Sequence, residues 1–509
     1  MYCKTISGAV GGISGFLIQV EVDMNEGLPS FIMVGMLASE VKEASERVRT
    51  ALRNSGYFIR PQRITVNLSP ADIRKEGSNF DLPIAIALLA NIGVIPRENV
   101  KDILIIGELS LDGSVNGVNG ILPVVCAGKE EGIKTCIVPF QNAKEAALLD
   151  GVRVYGVSNL KEAIEMLKRG MKQEAIKISI RELTEKEKQN KEDFSEINGQ
   201  ESLKRAAEVA VSGMHNLLMI GPPGSGKTMI AKRLPSILPD LTLEESIELT
   251  KIYSVAGMLS QTQPLLLQRP FRAPHHTIST CALTGGGKNP KPGEISLSNY
   301  GILFLDELPE FQKNTIEILR QPIEDKKVTI SRVSGSYEFP TNFLLVAAMN
   351  PCNCGFYPDR NRCSCSYKEV ERYLGKVSGP LLDRIDICIE APKLQYEEIE
   401  KKGEGESSDV IRERVERAQK IQRERYQKLG LKFNSELSSD QVKEYCRLNE
   451  RGKKLMKTVF EQLMLSARGY YRILKVARTI ADLAGEEEIS TTALSEAICY
   501  RSLDRKYWN

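Results

Sequence analysis

Apolar and polar positions alternate along this chain with two different periods, and the order of those periods sets out a domain plan. Over residues 1–170, short runs such as FLIQVEVD, RITVNLSP, ILIIGEL and TCIVP read as strands. Between them SEVKEASERVRTALRNSG, NAKEAALLD and NLKEAIEMLKRG carry apolar residues at helical spacing. This predicts an α/β unit. Residues 171–192 turn polar and densely charged, ending in RELTEKEKQNKED, which predicts a linker. A second α/β unit is expected over 193–392. Residues 393–509 should form a helical lid that includes the charged stretch SSDVIRERVERAQKIQRERYQKL. There is no internal repeat and no low-complexity tract.

Composition narrows the class. With 509 residues, 42% of them hydrophobic and 27% charged, the chain can bury more than one core. The net charge of +3 offers no global basic field, so any nucleic-acid site must be a local patch. The N-terminal stretch lacks a basic region ahead of its glycine-broken apolar run, unlike a signal peptide. The longest uncharged run, Leu82 to Pro96, has 15 residues, short of the roughly 18 a membrane span needs. These features predict a cytoplasmic protein with no membrane partner, whose eleven cysteines are reduced thiols or metal ligands.

The segment LLMIGPPGSGKTMIAKRL has the form strand, glycine-rich loop, helix, the context in which a phosphate loop has a mechanism. The loop is Gly221, Pro222, Pro223, Gly224, Ser225 and Gly226, and its glycines let backbone N–H groups approach phosphates. Lys227 reaches the β and γ oxygens and Thr228 helps to hold Mg²⁺, all at a helix N-terminus. In GILFLDELPEF, the apolar run Ile302 to Leu305 predicts a buried parallel strand that delivers Asp306 and Glu307 at its carboxyl end. Asp306 should orient Mg²⁺ and Glu307 should polarise an attacking water. NFLLVAAMN predicts another buried strand, ending at Asn350, placed to position the same water. The alternative for Asn350 is a strand-terminating turn residue, since Pro351 follows it. ATP and Mg²⁺ are the cofactors implied.

GPPGSGKT, RPFRAPHHTIS, GGGKNPKPGEISLSNYGILFLDELPEF, AAMNPCNCG, GPLLDRIDI and SARGYYRILKVARTIADLAG together resemble the magnesium-chelatase-like AAA+ ATPases of the ComM (YifB) type, over almost the whole chain. The resemblance implies that Arg384 is a finger reaching a neighbouring subunit's γ-phosphate. Its bland alternative is a salt-bridge residue. Arg468 would be the lid sensor, with Arg472 its nearest competitor, and Ile197 and Gln200 would contact the base. A homo-hexameric ring is implied, acting on DNA as a helicase that promotes branch migration in recombination and natural transformation. A chelatase-like ATPase that remodels a protein partner is the alternative.

GELSLDGSVNGVNGILPVVCAGKEEGIKTCIVP is similar to the Lon-type protease domain, whose chemistry uses a serine and a lysine. The pattern laid on this chain without gaps puts Asn79 at the serine position and Leu122 at the lysine position, and neither supplies a nucleophile or a base. Ser78 could be rescued by a shifted alignment, but no lysine sits where the partner belongs. A Lon-like fold without proteolysis, serving assembly or binding, is expected.

Two further features carry chemistry. Cys352, Cys354, Cys363 and Cys365 form two Cys-x-Cys pairs just after the third strand, and four thiolates could close a structural Zn²⁺ site; four reduced cysteines are the alternative. The segments around FRAPHHT and GGGKNPK lie between the phosphate loop and the acidic pair. Lys288, Lys291, Arg269 and Arg272 could there line a channel and meet phosphates, or else support the pocket. The arginine-rich stretch Arg412 to Arg425 alternates with glutamates, the pattern of a solvated helix face rather than a DNA site.

Overall fold

The computed structural model describes residues 2–180, 192–332, 335–393 and 405–508. Half of the predicted linker, residues 181–191, lies outside them. Its first residues return to the fold, where the Ile176 N–H donates to the Val154 carbonyl at 2.9 Å.

The first unit is a seven-stranded sheet in the spatial order Ser30–Val34, Arg63–Ser69, Ser14–Asn25, Tyr2–Gly11, Leu104–Ile105, Thr135–Pro139, Arg153–Val157. The long pair Tyr2–Gly11 and Ser14–Asn25 is antiparallel, because a two-residue turn joins its strands. The later strands run parallel, linked through helices. Helix Asp81–Asn91, DLPIAIALLAN, is apolar on every side and is buried along its whole length. Its one charge, Asp81, accepts from Arg47 Nε at 2.7 Å and from the Leu109 N–H at 3.2 Å.

The second unit is a five-stranded, all-parallel sheet in the order Phe271–Arg272, Ile302–Leu305, Leu344–Met349, Leu217–Ile220, Ile387–Glu390. Its three central strands read ILFL, LLVAAM and LLMI and are buried at every position, as a sheet covered on both faces requires. The mixed α/β architecture with a helical C-terminal part is as expected. No helix among the described residues is long and apolar enough to cross a membrane.

The two units meet along helix Leu243–Ala256, which packs on helix Ile121–Glu130. Glu145 is buried at this seam. Its carboxylate accepts from the Leu122 N–H at 3.0 Å, from Asn142 Nδ2 at 3.2 Å and from the Ser254 hydroxyl of the second unit. Burial pushes its pKa up. Beside it the Gly120 N–H donates to the Ser254 carbonyl at 3.1 Å.

The lid consists of helices Ser408–Tyr426, Glu450–Gln462, Ala467–Ala484 and Thr491–Cys499. The arginine-rich first helix is only partly a solvated face. Glu413, Glu416, Arg417 and Lys420 are exposed, but Arg414 pairs with Glu208 at 2.5 Å and Arg425 with Asp482 at 2.5 Å, tying the helix down on two sides. Asp482 is fully buried and also accepts from Arg478 Nε at 3.1 Å and Asn434 Nδ2 at 2.8 Å. Removing it takes the carboxylate from two guanidinium groups, the buried one of Arg478 and the partly exposed one of Arg425. Asp482→Ala should therefore cost about 3–5 kcal/mol of lid stability, visible as an early transition in differential scanning calorimetry. An unchanged thermogram would show that the cluster is not what holds the lid.

Candidate nucleotide site

Three neighbouring parallel strands deliver the site. Their registers pair Ile220 with Met349 and Leu305 with Ala347, so the chain leaves the sheet on one edge at Gly221, Asp306 and Asn350. The Gly221 N–H donates to the Met349 carbonyl at 3.1 Å, which closes the rim between the first and third loops. This is the crevice beyond the carboxyl ends of strands where open α/β sheets hold ligands.

The loop 221–226 turns through Gly224 (φ 77°) and Gly226 (φ 83°), conformations that residues with a Cβ rarely adopt, before helix Lys227–Ile237 begins. Its first-turn N–H groups face the loop without helical partners. Lys227 is 8% exposed; its ammonium donates to the carbonyls of Gly221 (2.7 Å) and Pro222 (2.9 Å) and to Ser225 Oγ (3.2 Å). Burial lowers its pKa to about 8, against a smaller opposing pull from Asp306.

Thr228 Oγ1 donates to Asp306 Oδ2 at 2.8 Å, and the other Asp306 oxygen accepts from the Glu307 N–H at 3.0 Å. A hydroxyl and a carboxylate so placed at a helix N-terminus are a hard-oxygen pair suited to Mg²⁺. Glu307 takes a left-handed conformation, φ 51°, which turns its side chain out of the strand direction, and that side chain is 60% exposed. Asn350 is half-buried at the end of its strand.

The other expected residues fall as follows. Ile197 is buried in the core, and Gln200, with φ 59°, is buried with its Nε2 on the Pro392 carbonyl at 2.7 Å. Its Oε1 has no hydrogen-bond partner among the described residues. Arg384 is 9% exposed and bonds Glu324 (2.8 Å) and the carbonyls of Arg320 (3.1 Å) and Pro380 (2.7 Å). Arg468 is exposed in the first turn of helix Ala467–Ala484, whereas Arg472 is held near Asp386 at 3.5 Å.

In the first unit, Asn79 Nδ2 donates to the Gly8 carbonyl at 2.5 Å, and Leu122 is wholly buried. The Ser78 hydroxyl donates to Glu108, a carboxylate and not a lysine.

The four cysteines converge, with sulfurs of Cys352, Cys354 and Cys363 separated by 3.3–3.8 Å and all four within 4.8 Å of one another. Zn–S bonds of about 2.3 Å give a tetrahedron with sulfur–sulfur edges of about 3.8 Å. The donor set therefore fits Zn²⁺.

The basic residues divide. Lys288 and Lys291 stand exposed on the small hairpin formed by Gly285–Gly286 and Lys291–Pro292. Arg269 is instead buried against the carbonyls of Pro239 and Tyr300 and against Glu245, and Arg272 is clamped by Glu294 at 2.6 and 2.7 Å. The charge of those two arginines is spent inside the chain.

Three features escape the sequence reading. His276 brings its ring 3.7 Å from Glu307 Oε2; the clue was that FRAPHHT leaves the sheet beside GILFLDE. Tyr373 is buried with its hydroxyl beside the Asn350 backbone N–H. A second hairpin, Lys327–Arg332 with Gly335–Pro340, carries Arg332 to the Gly287 carbonyl at 3.2 Å, so its basic tip joins that of the first.

Comparison with known proteins agrees in outline. Residues 193–399 match the family profile described as magnesium chelatase, subunit ChlI; residues 20–142 match subunit ChlI of Mg-chelatase, and 405–501 its C-terminal part. The chain is 42% identical to the competence protein ComM of Haemophilus influenzae over 98% of this chain and 97% of that one. It is 40% identical to the uncharacterized protein YifB of Escherichia coli over 97% and 96%. A partial likeness, 27% over 173 residues, joins it to Lon protease 2 of Bacillus subtilis, covering 30% of this chain and 31% of that protein.

The Lys227 environment makes a pH prediction. The free ammonium loses its proton near pH 8, and phosphate needs it charged, so binding above that pH must first recover a proton. Affinity for a fluorescent ATP analogue should fall about tenfold per pH unit above pH 8. A flat affinity from pH 7 to 9.5 would refute this.

Proposed function

Because the chain belongs to the magnesium chelatase ChlI family of AAA+ ATPases, we propose that it is an ATP-hydrolysing hexameric motor acting on DNA, a helicase that promotes branch migration. In this reading Lys227 binds the β and γ phosphates, Thr228 and Asp306 hold Mg²⁺, Glu307 polarises the attacking water and Asn350 positions it. Gln200 offers its buried, unpaired Oε1 to the exocyclic amine of adenine beside Ile197. Arg468 is the lid sensor, because Arg472 is committed to Asp386. Arg384 exchanges Glu324 for the γ-phosphate of a neighbouring subunit. The cysteines hold a structural Zn²⁺. The domains divide at 1–170, 171–192, 193–392 and 393–509, the first of them a binding or assembly unit without proteolysis, in a cytoplasmic protein.

One observation carries the choice of DNA. The tips of the two hairpins expose Lys288, Lys291 and Arg332, and among the described residues none of the aromatic ones nearby is exposed: Tyr337, on the second hairpin, is half-buried beside Gly12. Tyr253 donates to the Leu297 carbonyl at 2.9 Å and Phe271 stacks on Phe304 at 5.7 Å. A polypeptide-threading loop needs an exposed aromatic to grip; cationic tips suit a phosphate backbone. The relative from Haemophilus influenzae, named a competence protein, is in keeping with this.

The deciding measurement is ATP hydrolysis with and without single-stranded, duplex and branched DNA, using Glu307→Gln as the blank. Stimulation of about tenfold or more, greatest with branched DNA and absent from Glu307→Gln, is expected. ATPase activity indifferent to every DNA would move the assignment to remodelling of a protein partner. For the finger, rings mixed from Arg384→Ala and Lys227→Ala subunits should recover part of the activity that each variant lacks alone. Mixed rings with no recovery would place Arg384 among the structural salt bridges.

A further inference from the structure

The segment from Asn350 to Ser366 has no helix or strand, yet it lies against the phosphate loop. It leaves the sheet through Asn350 and Pro351 directly into Cys352. Between the cysteine pairs, Gly355 (φ 84°) lies against the phosphate loop so closely that a Cβ there would fall 2.5 Å from Pro223 Cδ and 3.1 Å from Pro223 Cγ. After Cys365 the chain enters helix Tyr367–Leu374, capped by Ser366 and Glu369, and that helix returns Tyr373 to the Asn350 N–H.

The far side of the segment is anchored. The Tyr357 ring lies 6.2 Å from the Tyr507 ring, the Tyr507 hydroxyl donates to Glu390 at 3.0 Å, and Trp508 Nε1 donates to the Leu374 carbonyl at 3.3 Å. Glu390 ends the strand paired with that of the phosphate loop. Arg360 donates to the Cys365 carbonyl at 2.8 Å, bringing a positive charge to offset the dianion that Zn²⁺ and four thiolates make. Loop backbone this poor in regular hydrogen bonds needs a cross-link to hold a fixed shape, and four converging sulfurs can supply it.

We propose that the metal knuckle is a brace for ATP hydrolysis: Zn²⁺ held by Cys352, Cys354, Cys363 and Cys365 fixes the height of the phosphate loop through Gly355 on Pro223, and fixes Asn350 through Tyr373. The proposal rests on reading the site as an ATPase and the cysteines as zinc ligands. Gly355 and Tyr373 are positioning residues, each acting through a different group. Gly355 acts on the part that binds phosphate, and Tyr373 acts on the part that orients water, so their loss separates in the kinetics.

The test uses the full-length protein, with zinc counted by inductively coupled plasma mass spectrometry. Gly355→Ala should keep one zinc per chain and raise KM for ATP about tenfold with kcat little changed. Tyr373→Phe should keep zinc and lower kcat about tenfold with KM unchanged. Cys363→Ser should lose zinc and show both defects while its circular dichroism stays that of the native fold. Zinc-loaded Gly355→Ala and Tyr373→Phe with native KM and kcat would overturn the brace. Native protein that hydrolyses ATP with no zinc on any chain would overturn the metal reading alone. Activity undiminished in Glu307→Gln would overturn the role given to Glu307, and native, zinc-loaded protein that hydrolyses no ATP would overturn the ATPase reading beneath both.

Discussion

Parallel pairing of three short strands is the constraint on which the site depends. Their sequences differ, but the pairings Ile220 with Met349 and Leu305 with Ala347 bring their carboxyl ends to one sheet edge, the acidic strand stopping two residues short of the other two, so a lysine loop, an acidic pair and an amide meet over it. A slip of one residue in any of them would turn its buried side chains to the opposite face and move its functional end by a strand step. Continuous burial of ILFL, LLVAAM and LLMI gives the register its rigidity. The chemistry is thus specified by packing well away from any phosphate.

Local signals were legible in the sequence, and interactions between distant segments were not. The phosphate loop could be read because everything it needs, strand, glycines and helix start, lies within some eighteen consecutive residues. Asp306 and Asn350 followed from apolar runs with a polar end. Charge misled where its partner was far away. Arg269 and Arg272 look like free cations in sequence, but Glu245 and Glu294 neutralise them. His276 could not be found by motif, because its contact with Glu307 exists only once two strands lie side by side. The cysteine spacing suggested zinc; the contact of Gly355 with Pro223 had no sequence signature at all.

In the first unit Asn79 lies just ahead of the buried helix Asp81–Asn91 and Leu122 is wholly buried; the Lon-like pattern laid on the sequence puts these two residues at its serine and lysine positions. Both have other tasks. Asn79 fastens the turn to the Gly8 carbonyl, and the Leu122 N–H binds Glu145, which in turn accepts from Ser254 of the second unit. Both residues serve as joinery.

That joinery has a thermodynamic consequence. Helix Leu243–Ala256 touches the first unit through Ser254, and near its other end Glu245 holds Arg269, which also bonds the carbonyls of Pro239 and Asp240 just beyond the phosphate-loop helix. The first unit is therefore mechanically yoked to the neighbourhood of the nucleotide. Where ATP shifts this helix, equilibrium linkage demands reciprocity: a molecule that grips the first unit and favours one position of the helix changes ATP affinity by the same factor as ATP changes its own. The first unit can in this way act as a throttle.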